Sequence, residues 1–328
     1  MTAGRCAAVA IAGSLAILVH LTVLAAAAQP KKLEVAYSAI SATQATLWFT
    51  KEAGVFDTHG LNVTLHYVAS GTKVAQALLA GEFPIALAGS AVVFANLAGG
   101  DIVFIGGVVN VPAFSLVVTP DIKRIEDLRG RVVGVTRFGA SSDFSLRYAL
   151  RQWGLEPDKD VKILQMGGQP ELLAGLKSGA LQGAPMSSPT DAQARKAGFS
   201  VLTDLSKSGL QYPMISIVST RTFIKKDPDT IRSFLTAYTE GTRRFFKEKD
   251  LALKVIAKYT KLEEREVLES AYAYATQFIE TTPRPPLKGI EIELGEIARK
   301  QPEARGRKAE DFVDGRFFEE LEKRGVFE

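Results

Sequence analysis

Ile85-Ala86-Leu87-Ala88-Gly89-Ser90 shows the pattern that decides the fold: an apolar, strand-like run stops at small residues, and a helix-like run begins at once. The same stop recurs at Tyr37-Ser38, at Ala69-Ser70-Gly71, across Thr136 to Ser142, and at Met186-Ser187-Ser188-Pro189. Each stop leaves the first amides of a helix unpaired beside a free hydroxyl. Such ends attract anions and hydrogen-bond acceptors, because amides and helix dipole act together. In an open parallel sheet they share the edge where ligands bind. The spacing therefore implies a binding cleft.

Outward from these stops, short apolar runs alternate with helical stretches as far as Leu205. The strand candidates are Leu33–Tyr37, Asn62–Val68, Ile85–Ala88, Ile102–Val109, Phe114–Thr119, Arg131–Thr136, Val161–Met166 and Ser200–Leu205. Most are continuously apolar, as in parallel strands covered on both faces. Asn62–Val68 alternates and suits an edge. Leu146, Ala149, Leu150 and Trp153 form one helical face, and Pro170 and Pro189 stand where proline opens a helix.

Beyond Tyr212 the pattern changes. Tyr212–Thr220 reads as a further strand, followed by helices only. Asp227-Pro228 opens one with Ile231, Phe234, Leu235, Tyr238, Thr242 and Phe245 on a single stripe. A second carries Leu268, Ala271, Tyr272, Ala275 and Phe278, and a last one follows Asp314. Phe114–Thr119 and Tyr212–Thr220 are where the chain can pass between lobes. The expected architecture is α/β, with two lobes of mainly parallel sheets, two hinge crossovers and a helical C-terminal section. Residues 29–115 and 219–328 would form one discontinuous lobe and residues 116–218 the other.

Residues 1–28 read as a signal peptide: Arg5, then an apolar stretch from Ala7 to Leu24 containing His20, then small residues before Gln29. An uncleaved anchor is the other reading, since the apolar run approaches membrane-spanning length. Cleavage gives an exported, periplasmic protein. The only cysteine, Cys6, lies ahead of the apolar run. The mature chain then has no thiol for disulfides, zinc, iron–sulfur clusters or nucleophilic catalysis. The chain has 40 basic and 36 acidic residues; without Arg5 the balance is 39 to 36, or +3. That is too weak for a nucleic-acid surface.

Several short segments carry a family resemblance. They are Glu34-Val-Ala-Tyr-Ser38, Ala53-Gly-Val-Phe56, Gly60-Leu-Asn-Val63, Ala77-Leu-Leu-Ala-Gly81, Ile125-Glu-Asp-Leu-Arg-Gly-Arg131 and Gly134-Val-Thr136. In order and spacing these resemble the solute-binding proteins of ABC importers, in the nitrate/sulfonate/taurine-type branch that includes thiamine-pyrimidine synthase-like proteins. The resemblance spans about residues 33–280. It implies a type II periplasmic-binding fold whose cleft closes on a ligand and hands it to an ABC permease, with no cofactor and no catalysis expected; a thiamine-pyrimidine synthase-like enzyme and a ligand sensor of the same fold are the alternative readings. The synthase relatives use a histidine, comparable to His66, with a cysteine-rich motif; the mature chain has no cysteine.

The expected ligand-binding residues lie at the strand ends and helix starts: Ser38, Ser70, Gly71, Gly89, Ser90, Asn110, Thr136, Arg137, Phe138, Gly139, Ser141, Ser187 and Ser188. The serines have a second reading as helix caps, and the glycines as ordinary turn residues. Arg137 either forks onto an anionic ligand or pairs with Asp143. Phe138 either stacks on a ligand or packs in the core. His59 and His66 lack a third metal ligand. Glu263-Glu264, Asp311 and Asp314 read as helix-start charges.

Overall fold

The computed structural model describes residues 29–327. Residues 1–28, with the expected signal peptide and Cys6, lie outside the described residues. No helix among the described residues is long and apolar enough to cross a membrane.

Ten strands form two five-stranded sheets. The first has the order β2-β1-β3-β10-β4, from Leu61–Tyr67, Lys31–Tyr37, Ile85–Ala88, Ile215–Thr220 and Ile102–Val109. The second has the order β7-β6-β8-β5-β9, from Lys162–Gln165, Val132–Val135, Gly183–Met186, Ser115–Val118 and Ser200–Asp204. The two orders are equivalent position by position. In each, three parallel strands are followed by one that arrives from the other sheet, β10 in the first and β5 in the second. Each arriving strand pairs antiparallel with both neighbours.

The sheets are therefore mixed where the sequence pattern suggested mainly parallel ones. Four ladders are parallel and four antiparallel. The cause is topological: a helical crossover returns a strand parallel to its predecessor, whereas a strand fed in from the other sheet enters from the opposite end. β5 belongs to the second sheet and β10 to the first along their whole lengths. The passages thus fall at residues 110–114 and 209–214, overlapping the starts of the expected segments Phe114–Thr119 and Tyr212–Thr220. They run side by side: the Tyr212 amide donates to Asn110 O at 3.1 Å, and Leu205 N to Phe114 O at 2.9 Å.

β2 is an edge strand, as its alternation implied. β8 is the strand absent from the sequence candidates, although its end at Met186 is one of the stops read there. It is central and fully buried, yet Gly183-Ala-Pro185-Met186 carries a proline, which argues against a central strand because it cannot donate to the ladder.

The helix Pro228–Lys247 starts on Asp227, whose carboxylate accepts from Thr230 N and Oγ1, and its predicted apolar stripe is buried. Arg265–Phe278, Leu287–Ile297 and Arg316–Lys323 complete the C-terminal section. This section joins the first sheet at Phe104, whose carbonyl accepts from the Asp314 amide at 3.0 Å.

Candidate functional site

The strand-end residues enclose a cavity of about 40 Å³ between the two sheets. From the first sheet's side come Ser38, Thr43, Ser70, Gly71 and Gly89; from the second come Thr136, Ser141, Ser142, Gly168, Gln169 and Ser187. Phe114, Met214 and Ile215 close it where the chain crosses. The helices Gly71–Leu79, Ser141–Gln152 and Gln169–Lys177 all begin at this cavity. Their first amides have no intrahelical acceptors, so three positive dipole ends from both halves converge. No charged side chain lines the cavity among the described residues. A volume of this size admits a water molecule or a group like a small oxyanion.

Hydrogen bonds fix the wall. Ser142 Oγ accepts from Thr136 N at 3.0 Å and lies 2.9 Å from Thr136 Oγ1. Asp143 accepts from Gly139 N at 2.9 Å and pairs with Arg147 at 2.6 Å. Burial pushes the Asp143 carboxyl up, and Arg147 with the Gly139 amide opposes that shift. Ser141 Oγ donates to Met214 O at 2.9 Å, tying the helix start to the crossing chain. Gln169 Oε1 accepts from Ser187 N at 3.2 Å, which orders the loop after β8.

Ser70 stands apart. It is 3% exposed, its Oγ has no partner among the described residues, and its φ is +76°. A non-glycine residue in that conformation is strained, and such strain concentrates at ligand sites. Close approach also dictates two glycines. A Cβ on Gly89 would stand 2.0 Å from Met214 O, and one on Gly168 2.7 Å from the Tyr67 hydroxyl. Burial pushes Tyr37 up; Tyr67 is pushed up to about 12, first by burial and then by Glu171 and Tyr37. Both phenols are thus neutral donors at physiological pH.

Seven of the thirteen expected residues line the cavity: Ser38, Ser70, Gly71, Gly89, Thr136, Ser141 and Ser187. Six do not. Ser90 turns away and hydrogen-bonds Glu293. Asn110 lines a separate cavity with Gln211, Thr282 and Pro285. Phe138 and Gly139 line a groove with Phe94 and Arg147, and Phe138 is 46% exposed. Ser188 contributes its carbonyl to Ser41 and Ala42 instead. Arg137 is outside the cavity lining and does not pair with Asp143, because Arg147 holds that carboxylate.

Thr43, Ser142, Gly168, Gln169 and the crossing residues were not anticipated. Gly168-Gln169-Pro170 did carry a signal, since Pro170 marks a helix start. Among the remaining candidates, His59 pairs with Glu240, His66 with Glu34 and Glu264 with Lys196. The side chains of Asp311 and Asp314 accept from nearby backbone amides. No cluster suited to a metal ion occurs among the described residues.

Two mirrored mixed sheets, joined by paired crossings around an uncharged cleft, define a protein of the two-lobed periplasmic-binding fold. The chain belongs to the family described as NMT1/THI5 like, which matches residues 42–252. It is 27% identical over 122 residues to the nitrate/nitrite binding protein NrtA of Nostoc, covering 37% of this chain and 27% of that protein. It is 23% identical over 212 residues to the Bacillus subtilis protein YtlA, covering 63% of this chain and 64% of that one. The chain thus spans less than two thirds of either relative. The alkanesulfonate-binding protein SsuA from Xanthomonas axonopodis, bound to MOPS, superposes with a TM-score of 0.71 at 18% identity, covering 86% of this chain and 96% of that one.

Proposed function

We propose that the chain is an extracytoplasmic solute-binding protein. It captures a small polar or anionic organic ligand between its sheets and delivers it to an ABC permease. The observation that carries this reading is the uncharged cavity ringed by hydroxyls and three helix starts contributed by both halves. Helix amides compensate a small anion without a counter-cation. In this reading the lobes are residues 29 to about 110 with 215 to 328, and residues 115 to about 208. They close over the ligand about the passages at 110–114 and 209–214, and the closed form is what the permease recognises. The NrtA and SsuA relatives support it by what they bind. The protein acts in the periplasm as a monomer and performs no catalysis.

A thermal-shift screen of nitrate, alkanesulfonates, small carboxylates and pyrimidines tests the reading. A ligand that binds only the native state raises the melting temperature. Anions that raise it in a saturable way support the proposal; no shift with any of them would overturn it.

A further inference from the structure

We propose that Glu293 is a positioning residue: through Ser90 it holds the Gly89–Ser90 turn against the Met214 carbonyl, and so sets the wall shared by the cavity and the returning passage. The role rests on the binding reading above. Glu293 lies on the helix Leu287–Ile297 and is fully buried. Its Oε1 is bonded to Ser90 Oγ, 203 residues away in sequence, and its Oε2 has no partner among the described residues. Ser90 directly follows Gly89, which lines the cavity and admits no Cβ beside Met214 O. That same carbonyl accepts from Ser141, the first residue of a helix that opens onto the cavity.

The Glu293 helix grips the passage at a second point. A Cβ on Gly289 would stand 2.7 Å from the Tyr212 Cα, and the Tyr212 hydroxyl bonds Ser145 and the Ser141 carbonyl. One helix thus holds the passage directly at Tyr212 and, through Ser90, at Met214.

The carboxyl is suited to this place only when neutral. Ser90 and the Tyr212 phenol are the polar groups set against it. The acidic residues of the short turns packed on the same helix, Glu303, Glu310 and Asp311, are exposed. Burial holds Glu293 well above the usual carboxylate range. A neutral acid can bond Ser90, and it places no negative charge behind a cavity built for an anion.

Amide hydrogen exchange on the ligand-free mature protein tests the role in Glu293→Gln, Glu293→Ala and Ser90→Ala. Near pH 4, where the wild-type carboxyl is neutral, segments 88–93 and 212–216 should exchange about tenfold faster in both alanine variants and at the wild-type rate in Glu293→Gln, whose amide keeps the bond. In the wild type, protection corrected for the chemical exchange rate should fall as pH rises, while the glutamine variant stays flat. Wild-type protection in the alanine variants, or a pH profile that Glu293→Gln shares, would overturn the proposal. If Glu293→Ala does not fold, Ser90→Ala carries the comparison. No ligand enters these measurements, so failure of every anion in the thermal-shift screen remains a separate result.

Discussion

The Ser188 carbonyl accepts from Ser41 Oγ at 3.2 Å and from the following amide, Ala42 N, at 2.8 Å. Ser41 precedes a short turn on the first sheet's side, and Ser188 follows β8 of the second. With Thr72 Oγ1 donating to Phe138 O, this contact holds the halves together across the cleft.

Ser41→Ala removes one interlobe bond and leaves the Ala42 amide in place. It should weaken the closed state by about 1 kcal/mol, the net worth of a neutral hydrogen bond. A bound anion should therefore leave about five times faster, with little change in its association rate. Stopped-flow kinetics on the anion chosen by thermal shift decides it. Unchanged dissociation would mean that Ser41 serves only to cap its own turn through Thr43 N.

Glu293 has a consequence for stability. Its folded pKa lies well above its unfolded value. Its stabilising contribution is thus complete below about pH 4.5 and is lost as pH rises through the folded pKa. Glu293→Gln removes that dependence. The variant should match the wild type near pH 4 and be the more stable of the two at pH 8. Denaturant midpoints at the two pH values measure the difference, and equal gains at both would contradict a neutral buried acid.

Much of the cleft was legible in the sequence because helix starts advertise themselves locally. Ser38, Ser70, Gly71, Thr136 and Ser141 could be placed from chain-adjacent residues alone. What failed depended on partners far away in sequence. Ser90 looks like its neighbours, but its hydroxyl belongs to Glu293. Gly89 reads as a residue that lets a ligand approach, yet the backbone of Met214 occupies that approach. β8 escaped the strand list because Pro185 overrides the local apolar signal, although its neighbours in the sheet accommodate a residue without an amide hydrogen. The antiparallel strands followed from the crossings, which shift the passages a few residues from the strands themselves.

Arg137 illustrates the same limit, since a position just after a strand does not fix where a long side chain goes. Its Nε is buried without a partner, and neither the cavity nor Asp143 receives it. Arg137→Ala should leave anion affinity within about twofold, whereas a ligand clamp would lose about 1.5–3 kcal/mol. Calorimetric titration separates the two. A tenfold loss would mean that the side chain swings into the cleft when ligand binds.

Ser70 provides the sharpest test, because the reading asks it to be costly to the fold and useful to the ligand. Its positive φ is a conformation that glycine adopts freely and serine does not. Its hydroxyl, buried at the cavity and unpartnered, is the group that would meet a bound anion. Ser70→Gly should therefore stabilise the ligand-free protein by about 1 kcal/mol through relief of backbone strain. The same change should weaken anion binding by about 1 kcal/mol or more, as one hydrogen bond disappears. Melting curves and titrations on one protein preparation give both numbers. Opposite signs are the signature of a strained ligand contact. A loss of stability with unchanged affinity would instead make Ser70 a structural residue, and the cavity would have to recognise its ligand through the backbone amides and the remaining hydroxyls.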